Sequence, residues 1–230
     1  MSAARTDWRW VMSDKQIDIG VELGKGWELF KPNMGLVIVA SLIGMLVSVV
    51  TCGILAGPMS AGMFLIVMRL IQKDPTTPQA GDVFKGFDFF VQALLVMVIG
   101  FVASMAVGFV LAFIPFLGRL VSMVVSLAIS SLIMWSLMFV VYQKLSAIDA
   151  IKKVVTDLMS GSFTMPFIFG VVASLISSLG ALACGVGIFF TVPLSYCCFA
   201  SLYDTLYGDK IEEAKVVEPE VMPPASDLRL

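Results

Sequence analysis

Residues 34–53, 55–72, 91–113, 118–142, 165–184 and 187–207 form six apolar runs with almost no charge, joined by short connections. A helix rising 1.5 Å per residue needs about 20 residues to cross ~30 Å of hydrocarbon. The runs therefore predict six transmembrane helices in an all-α, polytopic bundle. Barrel strands would alternate polar and apolar residues instead. The second run is the weakest, because Arg69 shortens it and must snorkel toward the membrane boundary. Composition agrees. The chain is 59% hydrophobic and 14% charged, where a soluble domain has about 45–50% apolar and 25% charged residues. With a mean hydropathy of +0.96, its solvent must be largely lipid. The net charge of −2 is segregated rather than spread over a face, so nucleic acid is not an expected partner.

The basic residues predict orientation. Fourteen of the 15 lie before the first run, around the connection of the second to the third (Arg69 at the end of the second run included), between the fourth and fifth, or in the tail; only Arg119 lies on the other side. Both termini are therefore expected in the cytoplasm, in a multi-pass protein of the cell inner (cytoplasmic) membrane. The opposite connections, Thr51–Gly57, Ile114–Gly118 and Cys184–Gly187, are too short to hold a domain and must join neighbouring antiparallel helices. The first 13 residues read as an extension, not a cleavable signal, and Met12 is an alternative start to Met1. The acidic, proline-containing segment 209–230 is expected to be a flexible cytoplasmic tail.

Within residues 14–208 the sequence repeats. KGWELF (25–30) precedes the first run, KGFDFF (85–90) the third, and a degenerate MSGSF (159–163) the fifth. Each is followed by a run, a turn with Pro58, Pro115 or Pro193, and a return run. Three hairpin units, about 14–74, 80–143 and 146–208, are expected. Each is expected to open with an interfacial helix, at Asp14–Phe30, Ala80–Phe90 and Ser146–Ser160. Trp27, Phe30, Phe87, Phe90 and Arg119 are the expected interfacial anchors.

KGWELFKPN (25–33) and LGALACGVGIFFTVPLSYCCFASLYDTLYG (179–208) resemble a broad group of uncharacterised prokaryotic six-span membrane proteins. They are also similar to the membrane domain attached to some glycerophosphodiester phosphodiesterases. The resemblance spans roughly residues 14–208 and rests on Trp27, Phe30, Asn33, Gly185, Gly187, Pro193, Tyr203 and Gly208. It implies a stand-alone membrane module and carries over no catalytic residue.

The residues offer little chemistry. Histidine is absent, no Asp or Glu falls at mid-depth of a run, and no CxxC spacing exists, so no catalytic residue, metal or cofactor is expected. Small residues recur every fourth position instead: Gly100, Ser104 and Gly108; Gly118, Ser122, Ser126 and Ser130; Gly170, Ser174 and Ser178. Such stripes let helices approach closely, either within the bundle or against a partner helix. Cys52 and Cys184 sit at corresponding ends of two runs, where they are either buried thiols or a disulfide across an oxidising face. The sequence thus favours a non-enzymatic scaffold or accessory subunit, associated with the lipid bilayer and with itself or another membrane protein. The alternative is a transporter or channel for a small apolar or lipid-like substrate.

Overall fold

The computed structural model describes residues 18–73, 77–113, 117–161, 163–182 and 187–217, and among these every regular element is helical. Helix α1 (Ile19–Phe30) starts at Asp18, whose carboxylate accepts from the Gly20 and Val21 amides at 2.8 and 3.2 Å. Pro32, with no N–H to continue the ladder, follows its end, and α2 (Met34–Val50) leaves at 92°. A turn with Cys52 and Gly53 in the left-handed region leads into α3 (Ala56–Ile71). A 3-10 helix (Ala80–Phe89) runs directly into α4 (Phe90–Ala112), followed by α5 (Leu117–Gln143). Ser146 caps α6 (Ala147–Met159), and α7 (Thr164–Leu182) and α8 (Ile188–Val217) complete the chain.

All six apolar runs are helical, but not all have a full crossing length. The stretches 80–112 and 121–143 are long and apolar enough to cross a membrane alone. Among the described residues, counting each bent pair, α1 with α2 and α6 with most of α7, as one crossing raises that number from two to four. Two further departures have local causes. The second short segment is a 3-10 helix because Gly81, Asp82, Val83 and Gly86 are poor α-formers and its backbone lies directly against α3. A Cβ on Gly86 would overlap the Pro58 carbonyl and stand 2.5 Å from the Gly62 nitrogen. The first part of the expected tail is helical instead, because α8 continues past residue 209 through Ile211-Glu212-Glu213-Ala214-Lys215 to Val217, a run of mostly strong helix formers. Residues 218–230, like 1–17, lie outside the described part.

The packing forms a circuit. In each round the second apolar helix (α3, α5, α8) is the buried one, and these three touch one another. The first apolar helices (α2, α4, α7) lie outside them. Each packs on the second helix of its own round and on that of the preceding round: α2 on α3 and α8, α4 on α5 and α3, α7 on α8 and α5. The short helices follow the same rule, with α1 on α8, the 3-10 helix on α3, and α6 on α5. The core is correspondingly central. Met59 to Met68 on α3, Trp135 to Val141 on α5 and Tyr196 to Tyr207 on α8 supply most of its large side chains.

Candidate functional site

The three seams of this circuit are filled differently. Where α4 meets α3, the backbones touch: a Cβ on Gly57 would lie 2.5 Å from the Ala93 carbonyl oxygen and 2.9 Å from Met97 Cγ. Where α7 meets α8 beside α1, a smaller cavity of about 100 Å³ remains among Leu23, Ala173, Ile176, Leu194 and Cys198, and where α7 meets α5 and α8 around Trp135, aromatic rings pack together. Trp135 is edge-on to Phe163 at 4.9 Å and to Phe199 at 5.7 Å. Its indole N–H donates to the Pro166 carbonyl at 3.1 Å, so the large ring leaves no polar atom unmatched.

The third seam, between α2, α3 and α8, keeps a cavity of about 190 Å³. Methionines Met45, Met59 and Met63 form much of its wall, and hydroxyls converge on it. Buried Ser60 and Tyr196 share a hydrogen bond of 2.8 Å, and the Tyr196 ring is edge-on to Phe64 at 5.1 Å. Ser41 Oγ points to Met63 Sδ at 3.7 Å, and Ser48 donates to the Gly44 carbonyl of its own helix at 2.7 Å. No charged side chain lines the space. A narrower crevice shares Ser41, Met45 and Val192 with it and continues between Ile38, Leu42, Phe189 and Pro193. An apolar space with a few convergent polar groups is the usual form of a small-molecule site.

A second polar feature lies at the other end of the bundle. Glu22 on α1 is buried and pairs with Lys25 at 2.7 Å, while Thr205 of α8 donates to its other oxygen at 3.2 Å. Asp82 of the 3-10 helix pairs with Lys85 at 2.7 Å and with Arg69 of α3 at 3.3 Å. These partners and the Gln79 amide hold the Asp82 carboxyl below its ordinary range, the hydrogen bond from Lys85 being the main cause. Asp157 on α6 pairs with Lys153 at 3.4 Å. Each carboxylate stands four residues before a glycine: Gly26, Gly86 and Gly161. That spacing was legible beside the KG pairs, and sequence reasoning missed it. Ser60 and Tyr196 were also missed; their signal is a hydroxyl two or three residues after Pro58 and Pro193.

The residues singled out from sequence separate into distinct groups. Gly100 and Gly170 are contact points: a Cβ on the first would overlap Ile133, and one on the second Ser131 Oγ. Gly118 is buried as well. Ser104, Ser122 and Ser174 are half-buried, and Gly108 faces open space. Ser126, Ser130 and Ser178 point outward, and Ser130 and Ser178 donate to carbonyls four residues back, at 2.9 Å each. Trp27 is 47% exposed, and Phe87 is exposed and stacks between Phe84 and Phe90. Phe30, also expected as an anchor, is not on the surface. It is 1% exposed, because the end of α1 turns it into the core. The Arg119 side chain lies outside the described residues, as does Cys184; Cys52 is exposed. Among the described residues no cluster of acidic residues and cysteines could hold a metal ion. No protein-family model, curated protein or solved structure was found to match this chain.

Proposed function

We propose that this chain is an integral membrane protein that binds a small apolar or lipid-like molecule between α2, α3 and α8. The observation that carries this reading is the cavity of about 190 Å³ beside the Ser60–Tyr196 bond, with hydroxyls converging on an otherwise apolar wall. In this reading the chain crosses an inner (cytoplasmic) membrane six times, as three hairpin units with both termini inside. The basic residues support the orientation, and the circuit of packing supports the threefold repeat. At 1.5 Å per residue, α2 and α3 span roughly 25 Å, so they need some thinning of the bilayer or snorkelling at their ends.

A second reading, a non-enzymatic scaffold or accessory subunit, draws on a different observation. The most apolar window of the 80–112 stretch is only 11% buried, and Ser126 and Ser130 of neighbouring α5 also face outward. A partner's helix could pack there, although lipid covers such a face equally well.

One experiment separates the two: gentle extraction from the native membrane followed by native mass spectrometry. A protomer or homo-oligomer retaining a small lipid-like molecule supports binding. A fixed stoichiometry with another protein and no retained small molecule favours the scaffold. Recovery of the bare chain under conditions that preserve known lipid complexes would sink the binding reading.

A further inference from the structure

We infer that the cavity takes a neutral single-chain lipid, its oxygen-bearing end against Ser60 and Tyr196 and its chain leaving along the crevice between α2 and α8. This rests on the binding reading above and names its ligand class.

The hydroxyls define one end. Ser60 and Tyr196 carry two O–H protons between them and share a single hydrogen bond, in which either can be the donor. One O–H remains after that bond is made; when Ser60 is the donor it is the phenol of Tyr196, which lines the cavity, and a buried donor favours an acceptor. An alcohol or ester oxygen supplies one.

The lining defines the head's charge. With no Lys, Arg, Asp or Glu on the wall, an ionised carboxylate or phosphate would lose its hydration without a counter-charge.

Size and continuity define the chain. The cavity of about 190 Å³ takes a small head and the start of a chain, and the crevice that continues from it, about 20 Å³, is too narrow for two chains side by side. The rest of the molecule must lie elsewhere. The crevice continues from the cavity through Ser41, Met45 and Val192. Leu42, Met45 and Phe189 at its margin are exposed, so the path leads toward the bilayer. The methionines can adjust to a chain of variable shape.

The test uses the full chain in lipid nanodiscs with three photoactivatable diazirine probes at equal mole fraction: hexadecanol, palmitate and a diacyl phosphatidylcholine. Labelled peptides are mapped by mass spectrometry, with α4 as the reference for general bilayer contact. Hexadecanol should label α2 and α8 well above α4, and the other two probes should not. Removing both hydroxyls, Ser60→Ala with Tyr196→Phe, should weaken this labelling about fivefold to tenfold, the worth of one hydrogen bond. Val192→Phe, which blocks the crevice without touching a hydroxyl, should abolish it and guards against a folding artefact in the first variant. Equal labelling of α2 and α8 by palmitate or phosphatidylcholine would overturn the ligand class while leaving the binding reading intact. Hexadecanol labelling indifferent to both variants would overturn the site. No probe labelling α2 and α8 above α4 would remove the binding reading itself.

Discussion

The Ser60 hydroxyl and the Tyr196 phenol meet at 2.8 Å across 136 positions of sequence, tying α3 to α8 at the cavity wall. The Tyr196 ring has a separate role, packing edge-on to Phe64 at 5.1 Å. The two contributions separate by substitution. Tyr196→Phe keeps the ring and frees Ser60 to bond a carbonyl of its own helix, so it should cost about 1 kcal/mol, or about 2–4 °C in thermal midpoint. Tyr196→Ala removes the ring and should cost about 3–5 kcal/mol. Thermal unfolding of both variants in the same detergent checks this, and equal losses would mean that the ring contributes nothing.

The close approach of the 3-10 helix to α3 makes two glycine substitutions behave oppositely. A Cβ on Gly86 would collide with backbone atoms of Pro58 and Gly62, which have no flexible end to move aside. Gly86→Ala should destabilise by about 3 kcal/mol. Gly24 lies within α1 with nothing within 4 Å of its Cβ position, so Gly24→Ala should stabilise by about 1 kcal/mol through helix propensity. Trypsin resistance and thermal midpoint should move in opposite directions for the two; a common direction would mean that the α3 contact is looser than described.

The helices were legible because their signals are local. Uncharged runs and flanking Lys residues foretold α2 to α5, α7 and the start of α8 to within a few residues, though not the ten residues by which α8 outruns its apolar stretch, and KGWELF and KGFDFF marked two of the short elements. The side to which each face turns was not legible. Ser126 and Ser130 share the fourfold spacing of Gly100 and Gly170, yet the serines look outward and the glycines inward. In lipid both faces of a helix are apolar, so hydropathy carries no inside–outside contrast of the kind an aqueous surface imposes. The cavity was invisible for a related reason. It depends on the absence of bulk where α2, α3 and α8 meet, and that is a property of three distant segments together. The Glu22, Asp82 and Asp157 spacing was visible, but only beside the repeat register set by Gly26, Gly86 and Gly161.

Asp82 gives a pH dependence of defined sign. Lys85, the Gln79 amide and Arg69 hold its folded pKa below the ordinary 3.8. A carboxylate depressed on folding adds stability that is present above the unfolded pKa and is lost as pH falls through the folded value. The thermal midpoint of the purified protein should therefore begin to drop as pH falls below about 4. Asp82→Asn should lower the midpoint at neutral pH and flatten that acid step. An unchanged acid step in Asp82→Asn would assign it to other carboxylates.

Cys52 tests the orientation directly. It lies in the Thr51–Leu55 turn at the end of the bundle opposite α1, it is exposed, and its φ of +52° holds it in the left-handed region of that turn. Lys144 follows the end of α5, beside α6, and is exposed at the other end of the bundle. In spheroplasts of a variant whose other cysteines are replaced, a membrane-impermeant maleimide should label Cys52. In a matching variant that also lacks Cys52, Lys144→Cys should be labelled only after the membrane is broken. The positively charged connections make this the expected pattern, because basic segments near span ends are retained on the cytoplasmic side. The reverse pattern would invert the protein and put the cavity, which adjoins this turn through Ser48 and Ala56, in the cytoplasmic half of the bilayer. Labelling of both positions in intact spheroplasts would mean that the chain between them crosses an even number of times, which an antiparallel arrangement of α3, α4 and α5 does not allow.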